Sequence, residues 1–109
     1  MPKIKKLHIG QLQPTQTHIN HSYTQGIKPP FKLIEVIKIE HNHYVVDGHH
    51  TLYACFDQGI ETIAINCQDF TNSKPQYQLR HKEKINKILE KVEKVQKQGM
   101  THISHLELI

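Results

Sequence analysis

The sequence contains no tryptophan and only two cysteines among its 109 residues. Cys55 and Cys67 stand alone, so neither a disulfide framework nor a zinc cluster has the spacing it needs. Each lies in an apolar stretch and reads as a small buried hydrophobe in a reducing compartment. Hydrophobic residues make up 37% of the chain and aromatic residues 6%, so any core must be thin. No apolar run approaches the ~20 residues of a membrane span. Met1–Lys6 is charged but leads into no apolar segment, which argues against a secretory signal. The expectation is a cytoplasmic protein with no membrane partner. A chain of this length supplies one core, so residues 1–109 are expected to form a single domain.

Charge is unevenly placed. Residues 1–73 hold six Lys/Arg and six Asp/Glu, whereas residues 74–99 hold eight Lys/Arg and three Glu. The formal excess of +4 therefore belongs to one C-terminal segment. Ten histidines are neutral in that count and would add positive charge below about pH 6.5.

The pattern of elements is mixed. Lys3 to Ile9 reads as a strand, and Pro14-Thr15 as the start of a short helix. Gly26 to Pro30 is a loop, because Pro29-Pro30 continues neither regular element. Leu33 to Ile39 is rich in β-branched residues and predicts a strand. His41-Asn42-His43 forms a turn, and Tyr44-Val45-Val46 returns as the second strand of a hairpin ended by Asp47-Gly48. Leu52, Cys55 and Phe56 then recur at helical spacing, with Gly59 as the terminating residue. Ile60 to Cys67 predicts a strand with Ile63 and Ile65 on one face. After a linker at Thr71–Pro75, Gln76 to Gln98 reads as the longest helix, with Ile85, Ile88, Leu89, Val92 and Val95 on one face. Glu83–Lys87, Glu90–Lys94 and Glu93–Lys97 are i,i+4 pairs, each worth ~0.2–0.5 kcal/mol on a helix. Gly99 ends it, and Thr101 to Ile109 fits either a strand or a short helix. The fold class expected is α+β: a small mixed sheet, a helix after the Asp-Gly-His-His turn, and a basic C-terminal helix at 76–99.

Chemistry concentrates where the hairpin gives way to a helix. The first amides of a helix lack intrahelical partners and, with the helix dipole, favour an anion. Gly48 lets a phosphate approach the backbone. His49, His50 and Thr51 add side-chain donors. Asp47 is the candidate metal ligand or proton acceptor. Asp-Gly is also a common turn pair, and Asp47 is equally a candidate helix cap. Binding of an acidic ligand here is expected to strengthen as pH falls from about 8 to 6, because the helix N-terminus keeps His49 and His50 neutral in the empty site and a bound phosphate would raise their pKa and take up protons.

Val45-Val46-Asp47-Gly48-His49-His50-Thr51-Leu52-Tyr53-Ala54, followed by Gly59-Ile60, resembles the core motif of the ParB/sulfiredoxin superfamily. In that motif a strand ends in a Gly followed by polar residues that open a helix. Leu12-Gln13-Pro14-Thr15-Gln16 resembles the Pro-Thr-Gln stretch near the start of ParB-like proteins of the nuclease-type branch. The resemblance covers residues 3 to 70. It implies a ParB/sulfiredoxin-like fold and makes Gln16 a candidate substrate contact. Sulfiredoxins place a Cys directly after the Gly, where this chain has His49, so their sulfur chemistry is not implied. Partition-type ParB proteins read Gly-Glu-Arg-Arg. The free-serine kinase branch reads Asp-Gly-His-Thr-Arg, and this chain agrees at Asp47, Gly48 and His49. Its Arg position is Thr51 here, so phosphate would depend on backbone amides, histidine and a metal.

Two functions follow as expectations. One is a phosphate-handling domain: a nucleotide-binding phosphotransferase, an NTP hydrolase or a nuclease-like hydrolase, using Mg²⁺ with a nucleotide. Asp47, His49 and His50 would be catalytic, and Gly48, His49, His50, Thr51 and Gln16 would bind the ligand. The other is a non-catalytic module that binds DNA or a protein through the C-terminal helix. There Arg80, Lys84, Lys87, Lys91 and Lys94 fall in one narrow sector at ~100° per residue. The ordinary alternative is a solvated helix face. The pairs His18/His21, His41/His43 and His102/His105 lack the further ligands of a recognisable metal set.

Overall fold

The structure, a computed structural model, describes residues 3–70 and 81–109. Among these, five strands form one mixed sheet in the order β1-β6-β4-β5-β2. They are β1 (Lys3–His8), β2 (Leu12–Gln13), β4 (Ile34–Ile39), β5 (Asn42–Asp47) and β6 (Thr62–Asp69). β4 and β5 pair as the expected antiparallel hairpin, and β6 returns parallel to β4 and antiparallel to β1. The hairpin turn is tighter than the sequence suggests. Glu40 takes a positive φ of 56°, and β5 begins at Asn42. A second, two-stranded sheet pairs β3 (His18–Ile19) with β7 (Glu107–Leu108) in parallel. The C-terminal segment is thus both candidates at once, a 3-10 turn at Ile103–His105 and then a strand.

α2 (His49–Asp57) and α3 (Lys82–Lys97) lie on opposite sides of the sheet. Alternation along the strands requires two sides. Ile34, Val36, Val45, Ile63 and Ile65 point into the main core with Leu52 and Cys55 of α2. Ile37 and Tyr44 point the other way, onto Ile88 and Val92 of α3. Phe56 and Leu89 were expected on the buried faces but are each 39% exposed. Phe56 instead meets the ring of His102, with centroids 5.5 Å apart. Of the three i,i+4 pairs expected on α3, Glu93–Lys97 closes, at 3.2 Å. Both cysteines are buried and free. The linker 71–75 and residues 76–80, including Arg80, lie outside the described residues.

Pro14-Thr15 does not start a helix. The chain there is irregular, and the short helix α1 (His21–Thr24) begins after Asn20, whose Oδ1 accepts the Ser22 N–H at 3.1 Å. Thr15 instead donates its Oγ1 hydrogen to the Val45 carbonyl at 2.6 Å, which ties the loop to β5.

Candidate functional site

β5 ends at Asp47, and Gly48 turns the chain into α2 with a φ of 104°. A Cβ there would lie 3.2 Å from Ile34 Cγ1 and 3.4 Å from Ile34 Cα. Glycine is therefore required by the close passage of β4 and by the left-handed conformation. The bare side of Gly48 faces Ile34, which corrects the expectation that it clears room for a phosphate. Gly48 itself is the N-cap, and no side chain caps the helix, so Asp47 is not the cap either. The amides of His49, His50 and Thr51 precede the first intrahelical bond, from Leu52 N–H to Gly48 O at 2.8 Å.

A cavity of about 260 Å³ opens at this turn. Gln16, Asp47, Gly48, His49, His50 and Thr51 all line it, and Lys32, Leu33 and Val46 complete it. Asp47 is the sole carboxylate among these lining residues. Lys32 was missed from the sequence. It is the cation of the cavity, and it makes no ion pair among the described residues. A signal for it did exist in the hairpin. Antiparallel pairing sets Glu35 opposite Asp47, so the residues just before β4 must lie beside those just after β5.

The two histidines have unequal surroundings. His49 is 4% exposed, and its Nε2 accepts the Thr15 N–H at 2.9 Å. Burial is the main cause that pushes its pKa down to about 4, with smaller contributions from His50 and Lys91. A charged His49 would also lose the bond from Thr15, because the protonated ring has no acceptor nitrogen. His49 therefore stays neutral between pH 8 and 6, with burial rather than the helix N-terminus as the main cause, and the bond from Thr15 opposes the proton uptake expected on phosphate binding. Burial and the low pKa of its ring oppose the acid–base role expected of it. His50 is half-buried and accepts the Asn20 N–H through Nε2 at 3.2 Å. Its ring retains Nδ1–H as a donor. The adjacent rings, about 100° apart around the helix, thus hold the Pro14–Asn20 loop at two points and fix Gln16 at the cavity rim. Gln16 is steadied by its own bond from Nε2 to the His18 carbonyl at 2.9 Å.

Among the described residues, no group of three or more His, Cys, Asp or Glu side chains can hold a metal ion. The cavity does meet the lesser demand of a Mg²⁺ that arrives with a phosphate, which needs one or two carboxylates and keeps several waters. Asp47 supplies that carboxylate and Thr51 a neighbouring hydroxyl.

On α3, Lys84, Lys87, Lys91 and Lys94 are all exposed, and none closes an ion pair among the described residues. Lys91 lies close enough to His49 to help lower its pKa, so the basic face adjoins the back of the histidine clamp.

Solved structures are similar to this chain in fold. Protein Atu1540 from Agrobacterium tumefaciens superposes over 97% of the chain with a TM-score of 0.65 at 15% identity. Sulfiredoxin from Arabidopsis thaliana superposes over 73% of the chain and 96% of its own length, with a TM-score of 0.50 at 20% identity. The fold is that of sulfiredoxin. The chain spans 62% of the length of the Agrobacterium protein. No protein-family model matches the sequence, and no curated protein matches it. The sulfiredoxin-like fold has a mixed sheet, a helix that starts at the Asp47-Gly48 turn and a C-terminal helix, as the sequence implies. No helix among the described residues is long and apolar enough to cross a membrane.

Proposed function

We propose that this domain handles a phosphate-containing ligand at the Asp47–Thr51 turn, as a nucleotide-binding phosphotransferase, an NTP hydrolase or a nuclease-like hydrolase. The observation that carries the reading is one cavity in which Lys32, Thr51, His50 and Asp47 come together beside uncapped helix amides. Lys32 supplies the fixed positive charge that Thr51 does not. The first-turn amides and the Thr51 hydroxyl donate hydrogen bonds to phosphate oxygens. Asp47 takes the role of base, or of ligand to a Mg²⁺ bound with the nucleotide. When bound, that ion neutralises phosphate charge. His50, half-buried at the cavity, offers its Nδ1–H as a hydrogen-bond donor. His49 is a positioning residue that holds the Thr15 amide and, through it, Gln16.

A thermal-shift screen of nucleotides with and without Mg²⁺ tests this reading. A nucleotide present at 100 times its Kd stabilises the fold by about 2.7 kcal/mol. Lys32→Gln should reduce the shift for every phosphate ligand, and Asp47→Ala should reduce the part that depends on Mg²⁺. Shifts untouched by either substitution would remove the ligand from this cavity.

The second reading is a DNA-binding or protein-interaction module. It is supported by the four exposed lysines of α3, which lie within one sector and close no ion pair among the described residues. If α3 carries the function, Lys87→Gln with Lys91→Gln weakens duplex binding on all sequences and lowers the salt slope by up to about two.

A further inference from the structure

Two residues of the polar cavity, Lys32 and Thr51, face more than one space. Both residues also line a second cavity of about 230 Å³, whose other walls include Phe31, Ile34, Cys55, Ile60 and Ile63. Lys32 and Thr51 therefore stand between a polar chamber and an apolar one. Burial holds the Cys55 thiol above its ordinary pKa, so that wall stays uncharged at neutral pH. The volume of this second cavity exceeds the roughly 150 Å³ in which a ring the size of benzene fits.

We propose that the site takes a single amphiphilic ligand, an organic phosphate whose phosphoryl group lies in the polar chamber and whose flat apolar substituent lies against Phe31, Ile60 and Ile63. This rests on the reading of the polar chamber as a phosphate site. Lys32 and Thr51 meet the phosphoryl group where it joins the substituent. The two halves of the ligand are bound by different physics. Charge and hydrogen bonds hold the phosphate, whereas removal of apolar surface from water holds the substituent. Ligand pockets that combine a largely apolar wall with a few placed polar groups are the usual form for small molecules.

Phenyl phosphate and inorganic phosphate are the probes. Titration calorimetry on the whole chain should give phenyl phosphate an affinity about tenfold or more above that of inorganic phosphate, as expected for burying most of one ring face. Nuclear Overhauser contacts from the phenyl protons should reach the methyl groups of Ile60 and Ile63. Phe31→Ala should erase most of the tenfold advantage, and the methyl contacts decide the matter if that variant does not fold. Equal affinities for the two probes, or phenyl contacts elsewhere, would overturn the amphiphilic ligand while leaving the phosphate site standing. If neither probe binds while a Mg²⁺-nucleotide still shifts the amides of Asp47–Thr51, this inference falls and the phosphate reading stands; if the nucleotide fails as well, both fall.

Discussion

Acid should loosen this protein through His49. The perturbation is a fall in pH from 7 to 4. The unfolded chain takes up a proton on His49 near pH 6.5, whereas the folded ring resists it down to about 4. Its folded pKa is depressed, so the stability it contributes is fully present above pH 6.5. That stability is lost as pH falls through the window, with a slope of at most about 1.4 kcal/mol per pH unit. The gap between the two pKa values corresponds to about 3 kcal/mol at full effect. Total stabilities of single domains are about 5–15 kcal/mol, so the loss should be large enough to measure. His43 and His102 are also held below their ordinary values, chiefly by burial, and push in the same direction. His49→Gln separates the contributions, because Gln keeps an acceptor oxygen for the Thr15 amide and does not titrate. Urea unfolding at pH 7, 5.5 and 4 should show the wild type losing about 3 kcal/mol more than His49→Gln. Parallel losses in the two proteins, or an NMR titration of the His49 ring with a midpoint near 6.5, would refute the buried clamp.

Gly48→Ala should cost about 2 kcal/mol or more in urea unfolding, since it meets both a left-handed φ and a Cβ 3.2 Å from Ile34. Thr15→Val should cost about 1–2 kcal/mol by the same assay, because it removes the donor to the Val45 carbonyl inside the fold. Lys87→Gln with Lys91→Gln should leave unfolding within about 0.5 kcal/mol of the wild type per site. That keeps the pair usable for judging duplex binding against salt.

Much of the architecture was legible because it follows from short-range pattern. β-branched runs marked β4, β5 and β6, and the switch to helical spacing at Leu52 marked α2. The glycines at 59 and 99, both with positive φ, marked two helix ends. What the sequence concealed was long-range. Pro14-Thr15 carries a helix-start signal, but Pro14 is buried and the Thr15 N–H and Oγ1 are taken by His49 and Val45, more than 25 residues away. The true start signal was Asn20. Lys32 went unnoticed because it is local to nothing chemical in the chain and reaches the site only through the hairpin register. His49 and His50 look equivalent in sequence, yet one is 4% exposed and the other half-buried, a difference set by the loop that covers them. Of the basic residues expected on the C-terminal helix, Lys84, Lys87, Lys91 and Lys94 are exposed on α3.

The most direct test of the proposed site is an amide NMR titration of the whole chain with a Mg²⁺-nucleotide, repeated with Lys32→Gln. The phosphate reading predicts saturable shifts clustered at Gln16, Lys32–Leu33 and Asp47–Thr51, and an affinity roughly tenfold weaker when Lys32 loses its charge, consistent with about 1.4 kcal/mol for one charge-assisted contact. Shifts confined to α3, or an affinity unchanged by Lys32→Gln, would contradict it.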